Sequence, residues 1–355
     1  MLYFLYPVIA VGFSLGIITL IIYGLGISPI EGLGTLLYSS FGNAYYTTET
    51  LVRATPILLV ALGLAVAFTA KVWNIGAEGQ LYIGGIAAAT IAINSGWMPA
   101  PIPSILAWIG AGVAGASWAL IPALLKAKYE INEVFTTLMM NYIAIYLSSY
   151  LLHGPLMNPT TLFPETVIIP PSSQLAKLIP GYRLHTGVLF SFLILTPLVY
   201  IFLSKTIYGF RLKLVGSSPE VARTSGINIK KQILIAFLIS GFFAGLAGAN
   251  EVTGVVLKMR PEISPGYGYM GIGVALLGRL NPFGIVLASI FMAGIVNGSY
   301  TLSMMLKVPI GIANFILGIL IVLIVLGEVL ISRVIEARKA SFEKESIKKE
   351  KRGEK

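Results

Sequence analysis

Residues 51–80 read LVRATPILLVALGLAVAFTAKVWNIGAEGQ. Residues 51–70 are apolar apart from Arg53 and a few small polar groups. About 20 such residues form a helix long enough to cross the hydrocarbon core of a bilayer. Lys71 ends the run, and the octapeptide 73–80, WNIGAEGQ, then sets a carboxylate, two amides and two glycines before the next apolar segment. Glycines weaken a helix interior, and polar groups are costly at membrane depth. Two structures fit such an interruption. One is a tight turn between two spans. The other is a discontinuous helix whose open backbone lines a cavity rather than lipid. In either, Glu78 is expected at a structural hinge or pathway break and not as a catalytic acid.

The rest of the chain repeats this pattern. Of 355 residues, 56% are hydrophobic and only 11% charged, against roughly 25% charged in soluble domains. Spans are expected at 4–26, 51–70, 80–96, 103–125, 133–152, 185–204, 231–254, 268–280, 283–303 and 309–331. The fold class is therefore an all-α polytopic membrane protein, a bundle of about ten transmembrane helices with at least one broken helix among them. The eighth span is short, so it is tilted, broken or only partly spanning. Residues 4–26 are too long for the core of a cleavable signal and are read as the first span.

Charge placement gives the orientation. With both termini inside, nineteen of the Lys and Arg residues fall in inner segments and six in outer ones. The opposite topology inverts that ratio, so the termini are assigned to the cytoplasm of the cell membrane. The net charge of +10 is then mostly topology charge, and no nucleic-acid partner is implied. Residues 1–335 form one transmembrane domain. It includes an extracytoplasmic loop, 153–184, rich in proline, and a cytoplasmic loop, 205–231. Residues 336–355 are a charged cytoplasmic tail.

Several chemistries are excluded. Cysteine and aspartate are absent and the histidines are His153 and His185, so no metal or hydrolytic set and no resident cofactor is expected. Gly266-Tyr267-Gly268-Tyr269-Met270-Gly271 matches the dinucleotide fingerprint in letters only, because no strand precedes it. No phosphate-cradling loop for ATP occurs.

What remains is a loop and a set of buried polar groups. In the loop 205–231, Ser218 is placed to cap a helix, Pro219 to open it and Glu220 to complement its dipole. Gly226 supplies the left-handed residue that stops it. A capped helix projecting into the cytoplasm suits docking of a soluble partner. Inside the spans lie Asn74, Glu78, Gln80, Glu133, Asn141, Asn250 and Glu251, candidates for a translocation path. For Glu133 an interfacial role at the helix start competes equally with a place on the path. Gly241 and Gly245 form a G-x-x-x-G pair, read first as packing within the subunit.

The stretches WNIGAEGQ, NEVFTTLMMNYIA (132–144), VGSSPEVARTSGI (215–227), SGFFAGLAGANEV (240–252) and GYGYMGIGVALLGRLNPFGIVLAS (266–289) together resemble permease subunits of ABC importers. The closest type is the ribose/branched-chain-amino-acid superfamily, in its nucleoside and simple-sugar branch, over about residues 50–330. The resemblance implies a transporter subunit that is not itself an enzyme. It works with ABC ATPase subunits, an extracytoplasmic substrate-binding lipoprotein and a second homologous permease, all in membrane lipid. It also implies a nucleoside as substrate, with a simple sugar as the alternative. The family's coupling element falls on Gly216, Ser218, Pro219, Glu220, Ala222, Arg223, Gly226 and Ile227. Ser218 replaces a common asparagine, Val221 and Ser225 replace alanines, and Met270 stands where an aspartate is frequent. Outside the family, an ion-coupled secondary transporter also accommodates broken helices and buried acids, but leaves the capped cytoplasmic helix without a purpose.

Overall fold

The computed structural model describes residues 28–305 continuously and only isolated positions on either side. The expected spans 4–26 and 309–331 and the tail 336–355 lie outside that stretch. The described helices are α1 Pro29–Phe41, α2 Ala44–Thr69, α3 Ala77–Asn94, α4 Ile102–Tyr129, α5 Glu133–His153, α6 Thr186–Lys205, α7 Ile207–Ser217, α8 Pro219–Thr224, α9 Ile229–Val256, α10 Tyr267–Leu277 and α11 Pro282–Met305. Among the described residues there is no strand, and a single bridge joins Lys177 and His185. Six helices, α2, α4, α5, α6, α9 and α11, are long and apolar enough to cross a membrane.

The bundle is organised around α2. Asn43 starts it by accepting from Tyr46 N–H at 2.9 Å, and every residue from Ala54 to Phe68 is buried. It packs against α9, α10 and α11, while α9 packs in turn against α3 and α4 and α5 leans on α3. Lipid tails are as apolar as leucine, so helices in a bilayer associate through close packing rather than exclusion from water. Glycine makes that approach possible here. A Cβ on Gly241 would stand 2.6 Å from Gly115 O, and one on Gly248 would stand 2.6 Å from Gly85 N. The G-x-x-x-G pair therefore packs α9 onto α4 within the subunit, as expected.

The chain turns where α2 stops. Lys71 takes a left-handed conformation, φ 53°, and Val72 N–H returns to Ala67 O at 3.1 Å. At that end α2 abuts Gly216 of α7, whereas its start is tied to the 154–185 loop by Glu49 and Arg183. The far end of α3 returns to the same loop, where Ser173 Oγ donates to Ala92 O at 2.8 Å. So α2 and α3 run in opposite directions and the interruption is a turn. The segment beyond Lys71 is longer than a tight loop, because Val72, Asn74 and Gly76 are buried and non-helical. The chain travels some way into the bundle before α3 begins.

Two helices fall where the sequence reads as loop. In α1, Gly32 and Gly34 lower helix propensity, but Ser40 Oγ ties the helix to Gly294 O at 2.7 Å. In α7, Thr206 caps Gly209 N–H at 3.1 Å, and Gly209 admits the close approach of the α6 backbone at Phe202 and Leu203. Tertiary contact overrides local propensity in both. α2 also starts at Ala44 rather than residue 51. The short eighth span is α10, whose 11 residues rise only about 16 Å.

Candidate functional site

Between α2 and α3 the non-helical residues 72–76, of which Val72, Asn74 and Gly76 are buried, carry backbone groups that no helix satisfies, and inside a bundle they need protein partners. Asparagine and glutamine supply them. Asn74 Nδ2 donates to Gln80 Oε1 and to Ser240 Oγ, each at 2.9 Å. Asn74 Oδ1 accepts from Gly76 N–H at 3.0 Å and from Gln80 Nε2 at 3.1 Å. Asn141 Oδ1 accepts from Gly79 N–H at 2.8 Å, and its Nδ2 donates to Ile75 O at 2.8 Å and to Tyr269 Oη at 3.3 Å. The three amides expected on a path are thus brought together, and their hydrogen-bonding capacity is engaged in holding this segment.

Glu78 sits beside them, in the first turn of α3. Its Oε2 accepts from Gly268 N–H at 2.6 Å, and the Ser264 hydroxyl is a second partner. Gly268 lies in the first turn of α10, so one carboxylate faces the positive ends of two helices, an arrangement the helix dipole favours. The glycines of the false dinucleotide fingerprint explain themselves here. Gly266 adopts φ +97° to start α10, and a Cβ on Gly268 would stand 2.8 Å from Glu78 Cβ.

Above this junction lies a cavity of about 640 Å³ lined by Arg53, Arg183, Glu251, Arg260, Glu262, Ser264, Tyr267 and Tyr300, among others. Ser264 belongs to both places and links the cavity to the Glu78 junction. Arg53 lies over the Tyr300 ring at 5.1 Å from its centroid, a cation–π geometry. Arg183 Nε donates to Glu49 Oε1 at 2.9 Å, with Nη2 also on that carboxylate. Three guanidinium groups and the carboxylates of Glu251 and Glu262 line the cavity, and Arg183 is paired with Glu49, so strong hydrogen-bonding groups and aromatic faces converge on one space.

Of the expected residues, Glu251 lines this cavity, and Asn250 is buried against Gly187 at the start of α6. Glu133 is not brought to either cluster; it opens α5 and pairs with Lys126 at 2.7 Å. Arg53, Arg183, Arg260, Glu262, Tyr267 and Tyr300 were not legible as site residues, since the three arginines read as topology charge. The signal for Arg53 was present: it is the only ionisable side chain in residues 51–70, and such residues inside spans mark functional sites.

At the other end, α8 forms as the capping residues dictate. Val221 N–H reaches Ser218 Oγ at 3.4 Å, Ile227 N–H returns to Ala222 O at 3.0 Å, and Gly226 has φ +75°. Ala222 is buried, while Glu220, Val221 and Arg223 are exposed. Gly216 packs on the end of α2.

His185 closes the 154–185 loop and is fully buried. Burial, and secondarily Arg183, push its imidazole down from 6.5 to about 4. Between those values the unfolded chain holds the proton more tightly. The stabilising contribution is therefore complete above about pH 6.5 and is lost as pH falls toward 4. The thermal unfolding midpoint of the solubilised protein should drop across that window, and less steeply in His185→Gln. An identical profile in the variant rules out the buried neutral imidazole as its cause.

Among the described residues, a helical bundle in which six helices are long and apolar enough to cross a bilayer indicates a multi-pass membrane protein. The chain belongs to the family described as branched-chain amino acid transport system / permease component, whose model matches residues 46–325. It is 34% identical to the glucose ABC transporter permease protein TsgB13 of Haloferax volcanii, over 91% of this chain and 87% of that one. It is also 34% identical to the guanosine ABC transporter permease protein NupP of Bacillus subtilis, over 90% and 92% respectively. A second permease of that bacterium, the guanosine ABC transporter permease protein NupQ, is 28% identical over 68% of this chain and 77% of its own. No solved structure matches the chain significantly.

Proposed function

We propose that this chain is the membrane-spanning subunit of an ATP-driven importer in the cell membrane, and that it moves a nucleoside. The observation that carries the reading is the polar cavity, where arginine, glutamate and tyrosine side chains converge on space for a polar solute. Similarity to a guanosine permease favours a nucleoside, whose base suits Tyr267 and Tyr300 and whose ribose suits the charged hydrogen-bonding groups. Similarity to a glucose permease keeps a simple sugar as the second reading.

The chain is a bundle of about ten transmembrane helices, some of them part-length, with both termini in the cytoplasm. The solute is delivered by an extracytoplasmic lipoprotein, with residues 153–184 as the outer loop. It enters past Asn250 and Glu251 and meets a floor built by Asn74, Glu78, Gln80 and Asn141, where α3 and α10 begin as part-length helices. Glu133 stands at the inner edge of the path. ATPase subunits act on Gly216, Ser218, Pro219, Glu220, Ala222, Arg223, Gly226 and Ile227, and a second homologous permease completes the path. The presence of two guanosine permeases similar to this chain in one bacterium supports that last point.

Two measurements test this. Vesicles holding the assembled importer should take up guanosine in preference to glucose only when ATP is supplied; preference for glucose selects the second reading, and uptake driven by an ion gradient alone overturns both. The double variant Glu220→Lys with Arg223→Glu should insert normally yet lose copurification with its ATPase and at least tenfold in uptake. Full-rate transport by that variant reduces α8 to a connector.

A further inference from the structure

Arg53 lies roughly 14 Å along α2 from its start at Ala44. Its neighbours Val52 and Ala54 are buried, and Arg53 itself is half-buried. Its Nε is fully covered and has no hydrogen-bond partner among the described residues. No described ion pair includes it. What fixes its guanidinium is the ring of Tyr300, whose centroid lies 5.1 Å away. Arg183 in the same cavity is the contrast, since its Nε and Nη2 both donate to Glu49. Buried polar groups are almost always paired, and an arginine inside a span is costly to keep. Arg53 therefore wants an acceptor that the described residues do not supply. Space for one lies beside it, because Arg53 lines the cavity of about 640 Å³. With Nε covered, the terminal Nη groups are the donors left to meet a ligand there.

The donor dictates the acceptor. A guanidinium presents its N–H groups as a rigid planar fork and accepts nothing. The matching ligand group carries two acceptors side by side in one plane. Ribose hydroxyls do not, because each is also a donor and they are not coplanar. The edge of a 6-oxopurine does: it presents O6 and N7 together, and arginine grips that edge with two hydrogen bonds. Adenine sets an amino donor where O6 stands, and pyrimidines lack N7. Glu251 and Glu262 in the same lining leave acceptors for the ribose.

We propose that Arg53 is a specificity-determining residue that reads the O6/N7 edge of a 6-oxopurine nucleoside, with Tyr300 holding the guanidinium in place. The proposal deepens the transport reading and rests on it, supplying a side chain that selects one class of base.

The test is a double-mutant cycle between protein and solute. The assembled importer is reconstituted with wild type and with Arg53→Lys, which keeps the charge but not the fork. Uptake, variant over wild type, is compared for guanosine, inosine and 7-deazaguanosine, in which a C–H replaces N7. Taking the ratio cancels any preference of the binding protein. The loss should be at least about tenfold for guanosine and inosine and no more than about threefold for 7-deazaguanosine. An equal loss for all three overturns the subsite and leaves Arg53 a structural charge. Unchanged uptake for all three overturns it too and leaves Arg53 a solvated one. If Arg53→Lys does not assemble, wild type supplied with binding protein preloaded with guanosine or 7-deazaguanosine carries the comparison. Guanosine should then move at least about fivefold faster, and equal rates overturn the subsite. Wild type that moves glucose and no nucleoside overturns the nucleoside reading and the subsite with it. Guanosine uptake without coupling between Arg53 and N7 overturns the subsite alone.

Discussion

Glu78→Leu is expected to cost more than tenfold in transport and to lower the melting temperature of the solubilised protein by several degrees. Its carboxylate accepts from Gly268 N–H at 2.6 Å, is partnered by Ser264 and is buried. Leucine removes the acceptor and leaves an N–H and a hydroxyl unpaired between two positive helix ends. Leaving a buried hydrogen-bonding group without its partner costs about 1–3 kcal/mol. The loss is therefore on the order of 3 kcal/mol. Glu78→Gln keeps shape and one acceptor, so it should fall between wild type and leucine. Uptake and melting measured on all three decide the matter. If leucine and wild type coincide in both, the junction of α3 with α10 is held by something other than this carboxylate.

Gly245→Leu is expected to be more damaging still, abolishing a folded, assembled permease. Gly245 lies where α9 crosses α4, and a Cβ there would stand 2.8 Å from Ala111 C and 3.1 Å from Gly112 Cα. The same residue is the obstacle that a side chain on Gly84 of α3 would meet. Overpacking a well-packed site costs about 1–3 kcal/mol, occasionally more, and here the obstacles are backbones of two helices that cannot rotate aside. Gly34→Ala is the control, since nothing lies within 4 Å of that glycine. Size-exclusion profiles and copurification with the ATPase should collapse for the first and stay normal for the second. A monodisperse Gly245→Leu protein means that the helices separate more easily than their spacing implies.

These two residues also show what sequence reading reaches. The G-x-x-x-G spacing was legible because close approach in lipid demands small residues at one helical face. The capped helix was legible because its signals are local, from Ser218 through Gly226. Spans were legible because the bilayer imposes a length. By contrast, the meeting of Glu78 with Gly268 joins residues 190 positions apart, and no local pattern encodes such a distance. The cavity escaped for a related reason. Arg53, Arg183 and Arg260 come from a helix and two loops, and each alone looks like charge at a membrane boundary. α1 and α7 were missed because glycines that permit close contact count, in a single sequence, as helix breakers.

The 154–185 loop is stitched along its backbone to the last turn of α9 and to the segment that follows it. Thr166 N–H donates to Met259 O at 3.0 Å, Ile169 N–H to Leu257 O at 2.9 Å and Leu175 N–H to Thr253 O at 2.9 Å. α9 spans 28 residues, about 42 Å, and its other end, Ile229, is joined to α8 by the short link 225–228. The loop thus bears on one end of a rigid rod whose other end adjoins α8. On the proposed reading, displacement of this loop by a delivered solute would travel to α8 along one covalent strut, with no relay of side chains needed between its ends.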